Sequence, residues 1–93
     1  MQWDSPKLRR EMVIVYTTST CPYCNAAKEL LRRKGVTFRE IDVSDDAEFG
    51  ALIRRTGWKT VPQIFIGDRM IGGYRELSNL EAEGKLDALV FEV

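Results

Sequence analysis

The sequence has no histidine and only two cysteines. Without imidazole, a papain-like Cys–His pair cannot be built. With no histidine and two cysteines, one copy of the chain cannot assemble the four Cys/His ligands of a structural zinc site, and no metal is expected. Charge of one sign is also missing. Fourteen Lys and Arg balance fourteen Asp and Glu, so no overall field favours nucleic acid or an anionic membrane. No apolar run approaches the length of a membrane-spanning helix. Residues 1–10 have no apolar centre like that of a signal peptide, and there are no repeats or low-complexity segments. Ninety-three residues make one small domain. A reducing cytoplasm is the expected setting, and nothing in the sequence calls for an oligomer, so a monomer is expected.

Both cysteines fall in one tetrapeptide, Cys21-Pro22-Tyr23-Cys24. A structural disulfide normally joins distant segments. Two thiols this close, in a reducing compartment, make a dithiol that closes and reopens on itself.

Residues 1–10 form a polar arm, and residues 11–93 the domain. Lys7, Arg9 and Arg10 suit either a solvated tail or a contact with an acidic partner; termini order poorly, which favours the tail. Met12 to Tyr16 is a short apolar run that fits a strand buried on both faces. Pro22 to Lys34 reads as a helix. Pro22 suits its first turn, Ala26, Ala27, Leu30 and Leu31 make an apolar stripe, and Arg32, Arg33 and Lys34 favour the negative end of its dipole before Gly35 stops it. Val36 to Val43 reads as a strand whose alternation slips once, which allows a bulge or an edge twist. Asp45 and Glu48 have capping-box spacing for a second helix ending at Gly57. Val61 to Ile66 and Arg69 to Ile71 flank a two-residue Gly67-Asp68 hairpin turn. A third helix follows over Tyr74 to Glu83, then a short turn over Leu86 to Val90. The order β-α-β-α-β-β-α predicts an α/β fold. Its mixed four-stranded sheet carries helices on both faces, and its first unit is a right-handed parallel crossover.

Cys21 falls where the first helix begins. The unpaired N–H groups of Tyr23 and Cys24 point toward its sulfur, and the positive end of the helix dipole adds to them. Both favour thiolate over thiol, which makes Cys21 the nucleophile. Cys24 lies one turn on, more covered, and suits the resolving role. In this scheme Cys21 attacks a disulfide, a mixed disulfide forms, and Cys24 displaces the product. Pro22 fixes the turn, and Tyr23 is placed to cover a bound thiol ligand.

With these motifs the chain resembles a glutaredoxin, of the small bacterial dithiol type, from about Met12 to Val90. The Cys21-Pro22-Tyr23-Cys24 loop, Thr60-Val61-Pro62 at the third strand, Gly72-Gly73 before the third helix and Gly84-Lys85-Leu86-Asp87 near the end carry the likeness. The resemblance implies a thioredoxin-like fold, a cis Val61–Pro62 bond and glutathione as reducing co-substrate. It implies that Val61 pairs through its backbone with the cysteinyl unit of glutathione. Gly73, Tyr74 and Arg75 then offer amides to the γ-glutamyl carboxylate, and Lys59 and Arg54 are candidates for the glycyl carboxylate. Tyr23, Thr60 and Pro62 complete the expected glutathione site.

Two departures bear on that site. Thr18 stands where many relatives have lysine. Tyr74-Arg75-Glu76 replaces a small residue followed by two acids, so Glu76 keeps one acidic group near the γ-glutamyl ammonium while Arg75 reverses the other charge. Trp58 is unexpected in its loop and suits either a partner contact or packing against the second helix, with packing favoured.

The expected activity is glutathione-dependent reduction of protein disulfides and of protein–glutathione mixed disulfides, with such proteins as partners. One alternative is a redoxin that takes electrons from thioredoxin reductase and serves ribonucleotide reductase; Thr17-Thr18 and Arg75 lean toward it, while Tyr74, Gly72-Gly73 and Gly84-Lys85-Leu86-Asp87 lean back toward glutaredoxin. Another is a module bridging an iron–sulfur cluster between two chains, which Pro22 disfavours.

Overall fold

The structure is a computed structural model that describes residues 12–90. The polar arm expected over 1–10 lies outside the described residues. The elements are β1 (Val13–Thr17), α1 (Pro22–Arg33), β2 (Phe38–Asp42), α2 (Asp46–Thr56), β3 (Gln63–Ile66), β4 (Arg69–Gly72), α3 (Tyr74–Ala82) and the short α4 (Leu86–Val90). The strands form one sheet in the order β2-β1-β3-β4. β1 runs parallel to β2, with Val13 opposite Phe38, and antiparallel to β3, with Val13 opposite Ile66. β3 and β4 form the hairpin around Gly67-Asp68, with Ile66 opposite Arg69.

Side chains alternate across a strand, so β1 serves two layers. Val13 and Val15 join Ile64 and Ile66 of β3 in one core with Ala27, Leu30 and Leu31 of α1. Leu77 of α3 and Leu86 and Val90 of α4 close it. On the opposite face Tyr16 meets Phe65 edge-on, with ring centroids 5.7 Å apart. There Arg55 of α2 donates to the Tyr16 hydroxyl at 3.1 Å and places its guanidinium over the ring. The four-stranded mixed sheet thus carries helices on both faces, as expected.

Local signals set the helix ends. Asp45 Oδ2 accepts from the Glu48 amide at 3.1 Å to cap α2, and Gly57 ends it in the left-handed region at φ 76°. Lys34, just past α1, bridges Glu81 of α3 at 3.1 Å and Asp87 of α4 at 2.8 Å, tying three helices at one end of the molecule.

The second strand is shorter than expected and has no bulge. Its register with β1 runs unbroken from Phe38 to Asp42. The slip in its pattern arises because Glu40 turns to the α1 side, where it accepts from Lys28 and Thr17. The register does shift in the hairpin, between Ile64 and Phe65.

Candidate active site

Cys21 is the N-cap of α1, with extended backbone at φ −109° and ψ 108°. Pro22 occupies the first turn, where its missing N–H costs nothing. The Cys24 amide donates to Cys21 Sγ at 3.2 Å, so one of the two amides expected at the sulfur makes the bond. The Val61–Pro62 bond is cis. As a thiol, Cys21 donates to the Val61 carbonyl oxygen at 3.5 Å. The CxxC loop and the start of β3, forty residues apart in sequence, therefore meet at one sulfur.

The two thiols have different surroundings. Cys21 is half-buried, whereas Cys24 is 1% exposed. Burial first, and then its hydrogen bond to Cys21, push the Cys24 thiol up to about 12. The Thr18 amide and the Lys28 charge oppose that rise. Thr18 thus serves through its backbone, against the resolving sulfur.

Beside the CxxC loop lies an open groove of about 570 Å³. Tyr23, Thr60, Val61, Pro62, Gly73, Tyr74, Arg75 and Glu76 all line it. The sequence reading named each of these, and the fold brings them together from the CxxC loop, the β3 approach and the α3 start. Lys59 and Arg54, the expected partners of the second carboxylate, are exposed and do not line the groove.

Trp58 is the residue that sequence reasoning left out of the site. Its ring lines the groove, with Cζ2 3.9 Å from where a Cβ on Gly73 would stand. Its carbonyl accepts from Nε2 of the buried Gln63 at 2.7 Å, which fixes its backbone to β3. Its place two residues before Thr60-Val61-Pro62 was the available signal.

The α3 start also departs from expectation. Glu76 Oε1 accepts from the Gly73 amide at 2.9 Å. The carboxylate expected to meet an ammonium is engaged at the helix cap, and the Gly73 amide is engaged with it. The first-turn amides of Tyr74 and Arg75 have no intrahelical partner. Gly72 precedes them at φ 121°, a conformation that side chains rarely adopt.

A family model described as glutaredoxin matches residues 13–71. The chain belongs to the glutaredoxin family. It is 53% identical over 79 residues to a glutaredoxin of Pseudomonas aeruginosa, covering 84% of this chain and 94% of the relative. It is 48% identical over 79 residues to glutaredoxin 3 of Escherichia coli, covering 84% of this chain and 95% of the relative. Among solved structures it is similar to a glutaredoxin from Brucella melitensis, with a TM-score of 0.78 and 49% identity, over 87% of this chain and 89% of the other. It is also similar to a buckwheat glutaredoxin in complex with glutathione, with a TM-score of 0.80 and 29% identity, over 88% and 78% of the two chains. The fold is thioredoxin-like, and membership of this family implies thiol–disulfide oxidoreductase chemistry. Among the described residues, no helix is long and apolar enough to cross a membrane.

Proposed function

We propose that this chain is a glutathione-dependent thiol–disulfide oxidoreductase, with Cys21 as nucleophile and Cys24 as resolving thiol. The observation that carries the reading is the junction of Cys21 with the groove. Its sulfur lies 3.5 Å from the backbone of Val61, a groove residue, and it accepts from the Cys24 amide. A thiolate at a helix start, bonded to a backbone donor, is the form that attacks sulfur.

Cys21 attacks one sulfur of a protein disulfide, and the other leaves as thiolate. Cys24 then attacks Cys21 Sγ, forming the Cys21–Cys24 disulfide and releasing the second substrate sulfur as thiolate. Two glutathione molecules restore the dithiol. The first forms a mixed disulfide at Cys21 and frees Cys24; the second attacks the bound glutathione sulfur, leaves as glutathione disulfide and frees Cys21. With a protein–glutathione mixed disulfide, Cys21 takes the glutathionyl group directly and the protein thiol departs. In the bound tripeptide the cysteinyl unit pairs with Val61, and the γ-glutamyl carboxylate meets the Tyr74 and Arg75 amides at the α3 start. Tyr23 and Trp58 wall the groove. The buckwheat relative solved with glutathione supports this choice of co-substrate. The protein works in this scheme as a monomer in a reducing cytoplasm, on disulfide-containing or glutathionylated proteins.

Arg75 in the groove favours a second reading, a redoxin fed by thioredoxin reductase. One assay separates the two. The purified protein is oxidised and offered glutathione with its reductase, or thioredoxin reductase with NADPH. Rapid reduction by glutathione alone is the expected result, and reduction only by thioredoxin reductase contradicts the reading.

A further inference from the structure

Beside the CxxC loop, three side chains form a short chain of hydrogen bonds between α1 and the sheet. The buried Thr17 hydroxyl donates to Glu40 Oε2 at 2.8 Å, and Lys28 Nζ donates to the same oxygen at 2.9 Å. The Lys28 side chain is only 15% exposed, low for a residue that usually keeps its head in water. Lysine carries a flexible point charge on a long stem, and here that charge is held in one place. Lys28 lies four residues after Cys24 on α1, so the two share one helix face one turn apart. Thr17 precedes Thr18, whose backbone eases the ionisation of Cys24. A cation held in place by the sheet thus stands one helical turn from the buried Cys24.

We infer that Lys28, held by Glu40 and Thr17, is a positioning residue that stabilises the charge developing on Cys24 and so sets the rate at which the mixed disulfide is resolved. The inference rests on the dithiol reading above. In the step concerned, the Cys24 thiol gives its proton to water and the thiolate attacks Cys21 Sγ. The Cys21–Cys24 bond forms as the bond from Cys21 to the substrate sulfur breaks, and that sulfur leaves with the electron pair.

The timing follows from what opposes ionisation. In the reduced protein, the Cys21 sulfur holds the Cys24 proton in place through its hydrogen bond and its charge. Once Cys21 enters the mixed disulfide, its charge is gone. Burial remains, opposed by the Thr18 amide and Lys28. The Lys28 charge lowers the cost of ionising Cys24. Glu40 and Asp42 of β2 face Lys28, and Arg32 of α1 faces Glu40.

The test uses one equivalent of 5,5′-dithiobis(2-nitrobenzoate), followed by stopped-flow absorbance. Attack by Cys21 releases the first nitrothiobenzoate, and resolution by Cys24 releases the second. Lys28→Met is expected to slow the second phase about fivefold to tenfold, as befits a shift approaching one pK unit. Its rising limb moves to higher pH, and Lys28→Arg restores most of the rate. Lys28→Gln serves as a second neutral variant, with circular dichroism to confirm folding. A second phase of wild-type rate and pH profile in both neutral variants overturns the inference. So does an Arg variant as slow as they are. A wild-type protein that releases no first equivalent overturns the dithiol reading itself, a result distinct from an intact first phase.

Discussion

The ring of Tyr23 lies 6.3 Å from the ring of Tyr74 and 27° from parallel. The stack joins the CxxC loop to the first residue of α3 along the groove, although Tyr23 itself is 65% exposed. A stacked aromatic pair is worth about 0.5–1.5 kcal/mol beyond its burial. Tyr74→Ala should therefore raise KM for a glutathione mixed-disulfide substrate by about twofold to tenfold, while Tyr74→Phe leaves it nearly unchanged. Steady-state kinetics on a glutathionylated peptide check this.

Gly72 fixes the path into α3. At φ 121° a side chain is strained, and a Cβ would stand 2.9 Å from Glu76 Cγ. Gly72→Ala should destabilise the fold by about 1–3 kcal/mol. It should also weaken substrate binding, because Glu76 must leave the Gly73 amide. Urea unfolding reads the first effect and KM the second.

Cys24 gives the protein an alkaline signature. Its thiol is pushed from an ordinary value near 9 up to about 12, chiefly by burial. Between those values the unfolded chain has lost this proton and the folded chain keeps it, so the unfolded state binds fewer protons. Stability from this group is full below about pH 9 and is lost as pH rises toward 12. Cys24→Ser should lose less stability than wild type across that window in denaturant titrations.

Leu77 anchors α3 and is fully buried in the core. Leu77→Ala should cost about 2–5 kcal/mol. Because α3 carries Tyr74 and Arg75, activity in the folded fraction should fall as well. Chemical denaturation and a specific-activity measurement check the two parts.

What the sequence made legible was mostly what chemistry acts on locally. Asp45, Gly57 and Pro22 mark helix ends through bonds within a turn, and all three sit where expected. The CxxC at a helix start is equally local. The pairing of Glu40 with Lys28 and Thr17 was not legible, because it depends on which face of an edge strand looks toward α1. The same non-locality hid the register shift at Ile64. Trp58 was read as a packing residue because a lone aromatic in a loop gives no direction; only the folded path past Gly73 places it in the groove. Lys59 and Arg54 are candidates through the resemblance, which does not fix where a loop or helix side chain lies, and both stand exposed outside the groove lining. Glu76 was assigned to a ligand, while its helix cap, three residues away, took it first.

The account rests on Cys21 being the attacking sulfur, and limited alkylation tests that most directly. Reduced protein at neutral pH is treated with less than one equivalent of iodoacetamide, quenched in acid, and the labelled peptide is mapped by mass spectrometry. The account predicts label on Cys21 with Cys24 unmodified, since one sulfur is partly open beside a backbone donor and the other is buried with its proton held. Label on Cys24 ahead of Cys21, or equal labelling of both, would contradict it.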